Sequence, residues 1–284
     1  MATAEEQAAT WQGTHVIKGK RAYATTPMGQ VHYSTLGDGP PLLLVHQSPW
    51  FSVQYAKVQP LLAEMGILVI AADTPGFGFS DVPDHPPTAD EYAANISSFL
   101  DALGISRVSI AGHHTGATIS AAFAARYPER TACVIMHGVP LYTEAERTDR
   151  LANQLHAGAG LKRDASHIID RWQRIERSFA HDAETESIQW AVMAFLMAGD
   201  LEWYGHRAAF TFDMESAIAA IKSPTLIMSN TADTIHQSAA RVLKMRPDFA
   251  YREFAGGNSH MMYDYPEPWA QTVGEFIKAK SSLA

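Results

Sequence analysis

The chain has 284 residues, with 22 Lys plus Arg against 30 Asp plus Glu, so its formal charge is −8 beside 13 His. A hydrophobic share of 46% with 18% charged residues excludes a disordered or fibrous chain, and the length suits one large α/β domain or one such domain carrying an insertion. The acidic balance argues against nucleic acid or an anionic membrane surface as partner, and the single Cys133, set in an apolar run, leaves neither a disulfide framework nor a Cys-based zinc knuckle.

Residues 1–13 read as a mobile lead-in, without the basic flank or apolar core of a secretory signal. No apolar stretch reaches the roughly 18 residues of a membrane span, so the expected compartment is the cytoplasm. The first strand signal is Gln30–Leu36, closed by Gly-Asp-Gly-Pro-Pro. Leu42–His46, Ile67–Ala72, Val108–Ala111 and Cys133–Met136 are continuous apolar runs of the kind a strand shows when both faces are covered. Helical spacing lies between them: a helix ending at Gly66, another over Ala89–Leu103, and an Ala-rich one over Ile119–Tyr127. This alternation predicts a mostly parallel central sheet with helices on both faces. It breaks over residues 141–212, which carry helical patterning and large residues such as Trp172, Trp190, Trp203 and Phe210. We read 141–212 as a helical cap, with 1–140 and 213–284 forming the core. Strand signals resume at Pro224–Met228 and Tyr251–Phe254, and a last helix spans Pro268–Lys280.

The segment Val108-Ser-Ile-Ala-Gly-His-His-Thr-Gly-Ala117 runs strand, sharp turn, helix. Gly112 and Gly116 flank position 114 with the spacing of a nucleophile elbow, where neighbouring side chains would collide with the adjoining strand and helix. Such a turn presents one side chain at the carboxyl end of the sheet, beside a helix N-terminus that stabilises negative charge.

With these residues the chain resembles the α/β-hydrolase superfamily from about Gln30 to Phe276. Pro41-Leu-Leu-Leu-Val-His-Gln-Ser-Pro49 is similar to the strand and oxyanion loop of that family, and Asp73-Thr-Pro-Gly-Phe-Gly-Phe-Ser-Asp81 to its D-x-P-G-x-G-x-S-D loop. Asn230-Thr-Ala-Asp233 stands where the family places its acid, and Ser259-His260 where it places its histidine. The resemblance implies an α/β-hydrolase fold, an Asp233–His260 pair in which the carboxylate orients the imidazole, and an oxyanion hole from the N–H groups of Ser48 and Thr115. Gln47, Trp50, His137, Trp203 and Met261 are the expected substrate contacts.

Two positions depart from the pattern. Residue 114 is His where the family has Ser, Cys or Asp, and residue 47 is Gln where it has Gly. Imidazole, with a pKa of about 6.5, is mostly neutral at pH 7 and acts as nucleophile or base without a helper. The leading expectation is therefore an enzyme cleaving an ester, lactone or related activated acyl bond of a small, mainly apolar, ring-containing substrate. His114 attacks or activates water, direct attack being favoured because the elbow presents its side chain and His260 stands ready as a base. Gln47 is expected either to direct an amide N–H at the substrate oxygen or His114, or to pair with backbone. A cofactor-free lyase, C–C hydrolase or oxygenase using a His base is the alternative, and a non-catalytic small-molecule binder a further one. His46, His113 and Asp73 read as structural. No cofactor is called for. No metal is expected either, because an acid behind His260 would not converge with His114 on one point, and no His-x-x-x-His spacing is present. The cap could support a homodimer.

Overall fold

In the computed structural model, which describes residues 13–155, 160–178 and 183–281, the apolar runs lie at the centre of one eight-stranded sheet. The strands are β1 (Lys20–Thr26), β2 (Gly29–Leu36), β3 (Pro41–Val45), β4 (Leu68–Ala72), β5 (Val108–His113), β6 (Thr131–His137), β7 (Thr225–Asn230) and β8 (Ala250–Phe254), in spatial order β1-β2-β4-β3-β5-β6-β7-β8. The six from β4 to β8 in that order pair in parallel, and the β1–β2 hairpin adds antiparallel to β4. Of the lead-in expected over 1–13, all but Gly13 lies outside the described residues.

Period-2 alternation sends successive side chains of one strand to opposite faces. Leu43 and Val45 pack with α2 (Ala89–Ala102) and α3 (Thr115–Arg126), whereas Leu42 and Leu44 pack with α1 (Val58–Glu64) and the final helix (Pro266–Ser281). Thr88 and Glu91 form a reciprocal capping box that fixes the start of α2. The sequence reading missed β1 because an edge strand has one covered face: most of Lys20–Thr26 is exposed, so no apolar run marks it.

Between β6 and β7 the chain passes through α4 (Glu144–Asn153), α5 (Ser166–Ser178), α6 (Thr185–Ala198), α7 (Tyr204–Thr211) and α8 (Met214–Ala220), with no strand among the described residues. α8 joins the sheet's own core through Ala217 and Ile218. α5 and α6 instead build a separate apolar cluster with Trp50, Phe51 and Val53 of the loop after β3. The insertion is thus anchored beside the carboxyl ends of the strands. α9 (Ser238–Met245) and the short α10 (Met261–Asp264) precede the final helix, α11 (Pro266–Ser281).

Candidate active site

β5 ends at His113, and the chain reverses at His114 with φ 48° and ψ −111° before entering α3. A side chain in this region is strained, so the surroundings must hold it there. The flanking glycines let them do so: a Cβ at 112 would fall on the Gly116 carbonyl, and one at 116 on the Val45 carbonyl. His114 N–H donates to the His137 carbonyl at 3.0 Å, tying the turn to β6.

From this turn the His114 ring reaches Asp233 on the loop after β7, with Nε2 and Oδ2 2.7 Å apart. Asp233 Oδ1 accepts the Ile235 N–H at 3.0 Å. Burial pushes the Asp233 carboxyl up, but the charge His114 carries when protonated, its hydrogen bond and the Ile235 N–H outweigh it and hold the pKa at about 2. The acid is therefore a carboxylate, and His114 donates from Nε2. Gly138 leaves room for this bond: a Cβ there would lie 2.7 Å from His114 Nε2 and 3.0 Å from Asp233 Oδ2.

The expected Asp233–His260 pair is corrected by this geometry. The carboxylate's close imidazole partner is His114, because a ring at the elbow spans the distance to the acid that a serine side chain would leave open. His260 faces the same cavity from the opposite loop, its ring edge-on to Trp50 at 4.3 Å, and burial together with the nearby His114 pushes its pKa well below the ordinary value.

His113 stacks on His114 with ring centroids 4.1 Å apart. Gln54 Oε1 accepts the Gln47 N–H, so the Gln54 amide NH2 donates to His113 Nδ1 at 2.9 Å, which assigns the His113 proton to Nε2. That Nε2–H points toward Asp233 at 3.9 Å. Burial, and next His114, keep His113 neutral. His113, His114 and Asp233 bring ligand atoms within 4.8 Å of one another, close enough for a metal ion. Within this cluster His114 Nε2 is bonded to Asp233 at 2.7 Å, whereas His113 Nε2, 3.9 Å away, has no hydrogen-bond partner among the described residues.

Two expected substrate contacts fall elsewhere. His137 is fully buried behind the site, accepting from Trp269 Nε1 at 3.1 Å and donating to Asn230 Oδ1 at 2.9 Å. Met261 lies in the core between the sheet and α11. Apolar character put Met261 inside, and a full set of polar partners did the same for His137. His46 donates to the Gln47 carbonyl and accepts the Thr74 N–H, while Asp73 accepts from Ser52 N, Phe79 N and His32; both brace loops.

Gln47, Ser48, Trp50, Thr115 and Trp203 line a cavity of about 570 Å³ together with His114 and His260. The backbone N–H groups of Ser48 and Thr115 meet no protein acceptor among the described residues, and the Thr115 N–H is a first-turn donor that α3 cannot satisfy. Gln47 Nε2 donates to the Ser259 carbonyl at 3.3 Å, so its amide pairs with backbone. The insertion closes over these groups: Gly205 of α7 lies so close to Ser48 that a Cβ would strike its hydroxyl. The far wall is more polar than the aromatic content of 141–212 implied, since Arg150, Asn153, Gln154, Arg171 and Glu202 stand among Phe195, Phe210 and Ile175. Gln54, Gly138, Gly205 and Arg150 carry no motif in the sequence.

A profile of the alpha/beta hydrolase fold matches residues 40–240. The 2-(acetamidomethylene)succinate hydrolase of Mesorhizobium japonicum is 25% identical over 253 residues, covering 86% of this chain and 90% of that protein. The 2-hydroxy-6-oxononadienedioate/2-hydroxy-6-oxononatrienedioate hydrolase 2 of Pseudomonas putida is 27% identical over 278 residues, covering 88% and 92%. Matches to mammalian bifunctional epoxide hydrolases cover only 21–22% of those longer proteins. The solved structure of a thermophilic esterase from Thermogutta terrifontis superposes with a TM-score of 0.76 at 20% identity, over 92% of this chain and 99% of that one.

Proposed function

This chain belongs to the α/β-hydrolase family, and from that premise we propose that it hydrolyses an ester, lactone or related activated acyl bond of a small molecule, with His114 as general base. The observation that carries the reading is the 2.7 Å bond from His114 Nε2 to a carboxylate held ionised. It fixes the tautomer and leaves Nδ1 as the lone pair for the cavity that His114 lines. Water gives a proton to Nδ1 as its oxygen attacks the acyl carbon. The resulting oxyanion sits between the N–H groups of Ser48 and Thr115. As the tetrahedral intermediate collapses, the Nδ1 proton passes to the leaving group, and the imidazole returns to neutral.

Direct attack by His114 draws less support from His260. An acyl-imidazole would still need a base for the water that cleaves it, and His260 has its basicity lowered by burial and has His114, not itself, as the close partner of Asp233. A panel of activated aryl esters and lactones tests the reading. Turnover is expected, abolished in His114→Ala, with no acyl mass on the His114 peptide after millisecond acid quench. An adduct there would make His114 the nucleophile; absence of turnover across the panel would remove the hydrolytic reading. A second reading is favoured by the base having no hydroxyl nucleophile bonded to it among the described residues, and by the P. putida relative: the same Nδ1 takes a proton from an acidic C–H or O–H and a C–C bond is cleaved. Activity confined to such substrates selects it.

A further inference from the structure

Arg150 projects from α4 onto the cavity shared with His114, half-buried, with its guanidinium 4.3 Å above the Tyr142 ring and one N–H on Gln154 Oε1 at 2.9 Å. Several other arginines are neutralised: Arg171 holds Glu202 at 2.8 Å, Arg241 holds Glu146 at 3.0 Å, Arg130 holds Asp101 at 2.9 Å and Arg246 holds Asp248 at 2.7 Å. Arg150 forms no ion pair among the described residues, and Glu146, one turn before it on the same helix, is taken by Arg241 and by the Thr143 backbone. Arg174 of α5 lines the same cavity, again with no ion pair among the described residues. Because Arg171 and Glu202 cancel, the cavity wall is net positive in a chain of net charge −8. A guanidinium stacked on an aromatic face, held at one edge and open at the other, is preorganised for a planar two-oxygen anion.

We infer that Arg150, aided by the field of Arg174, is the receptor for a carboxylate carried by the substrate, so that the acyl compound bound here is an acid rather than a neutral apolar molecule. The carboxylate docks on the guanidinium edge that Tyr142 and Gln154 leave open, at the insertion side of the cavity. The reacting bond then lies toward His114 and the Ser48–Thr115 donors. This rests on the reading that the cavity holds the substrate, but its test reads binding alone and so stands or falls apart from hydrolysis.

Trp50 and Trp203 line the cavity, so tryptophan fluorescence reports occupancy. The full chain is titrated with glutaric acid monoanilide and with pentananilide, its neutral counterpart of matched length. The acid should bind about 10-fold tighter or better, the worth of a charge-assisted hydrogen bond, and Arg150→Ala should reduce that ratio to below about 3-fold. Arg150→Gln, which retains the stem packing on Tyr142, guards against a folding defect and should lose the preference equally. Arg252→Ala, on β8 away from the cavity, should keep it. Equal affinity of acid and neutral compound in the wild type, no saturable quench by the acid, or a preference surviving in both Arg150 variants would each overturn the assignment.

Discussion

Two imidazoles, His114 and His260, face one cavity from opposite loops, and the carboxylate of Asp233 is bonded to His114. His114, at the turn after β5, is bonded to a buried, ionised Asp233; His260, ahead of α10, packs on Trp50 and is kept neutral by burial. The residues at positions 233 and 260 match the family order, yet the hydrogen bond has moved to position 114. A side chain's partner depends on which donor reaches it first. With a ring at the elbow, the 2.7 Å bond to Asp233 comes from residue 114, and on the proposed reading the base stands on that loop.

The sharpest way to break this comparison is Asp233→Asn. If Asp233 orients His114, the amide favours the wrong tautomer, and kcat should fall by about 10³-fold or more with the circular dichroism spectrum unchanged. Adding Asp233→Asn to His114→Ala should cost almost nothing further, since residues acting as a unit are not additive. A large extra loss in the double variant would mean that the carboxylate also serves His260.

Gly138→Ala probes the same bond without replacing either partner. The new methyl would press on the His114 ring edge and on Asp233 Oδ2, and φ at 138 is +60°, where alanine costs about 1 kcal/mol. A displaced base should lower kcat by about 10²-fold, with a small fall in Tm. An unchanged kcat would show that the His114–Asp233 contact is not used in turnover.

Two further imidazoles, His137 buried behind the site and His206 at its wall, extend the contrast to stability. Burial holds His137 at a pKa of about 4, so the unfolded chain binds this proton from about pH 6.5 downward while the folded chain resists until about pH 4. The associated stability, about 3 kcal/mol, is fully present above pH 6.5 and is lost as pH falls toward 4. His206, lowered to about 4 by burial and by His114, acts in the same direction. Asp233 adds a contribution present above its unfolded pKa of about 3.9 and lost as pH falls toward 2. Thermal melts should therefore show Tm falling steadily from pH 6.5 to 4. A flat profile would mean these rings are hydrated and titrate normally.

His260→Ala should be milder than any change to the dyad, about 10-fold in kcat, because the ring shapes the cavity without serving as the charged base. A loss matching that of Asp233→Asn would return the carboxylate to His260 and undo the comparison.

The fold was legible because its information is local: apolar runs mark the central strands, and Gly112 and Gly116 mark a turn that no other residues could close. β1 escaped because its single covered face leaves no run to see. The site residues were legible singly, and their pairing was not. Which imidazole meets Asp233 depends on the span of the His114 ring and on the space over Gly138, and neither is written in spacing. The same holds for Arg150: the sequence shows many arginines, and only the three-dimensional arrangement reveals which of them lack an acid. Counting aromatic residues in 141–212 pointed to an apolar pocket because much of that apolar surface, including Trp190 and Ile188, packs on Trp50 and Phe51 rather than lining the cavity.

Gln47 gives the finest test, since it touches both sides of the contrast. Its backbone N–H is held by Gln54, the amide that also sets the His113 tautomer, and its side chain reaches the Ser259 carbonyl beside His260. The side chain therefore straps the oxyanion loop to the His260 loop. At 3.3 Å the bond is a long one, worth on the order of 0.5 kcal/mol. Gln47→Gly removes it and leaves the backbone contact to Gln54 in place. The expected result is a two- to three-fold rise in KM with kcat within a factor of about two, because a strap between binding loops is felt by bound substrate and transition state alike. If kcat instead drops by about 10²-fold at unchanged KM, the amide contacts the transition state directly. In that case Gln47 would turn from Ser259 toward the reacting oxygen once substrate is bound, and would act beside the Ser48 and Thr115 donors.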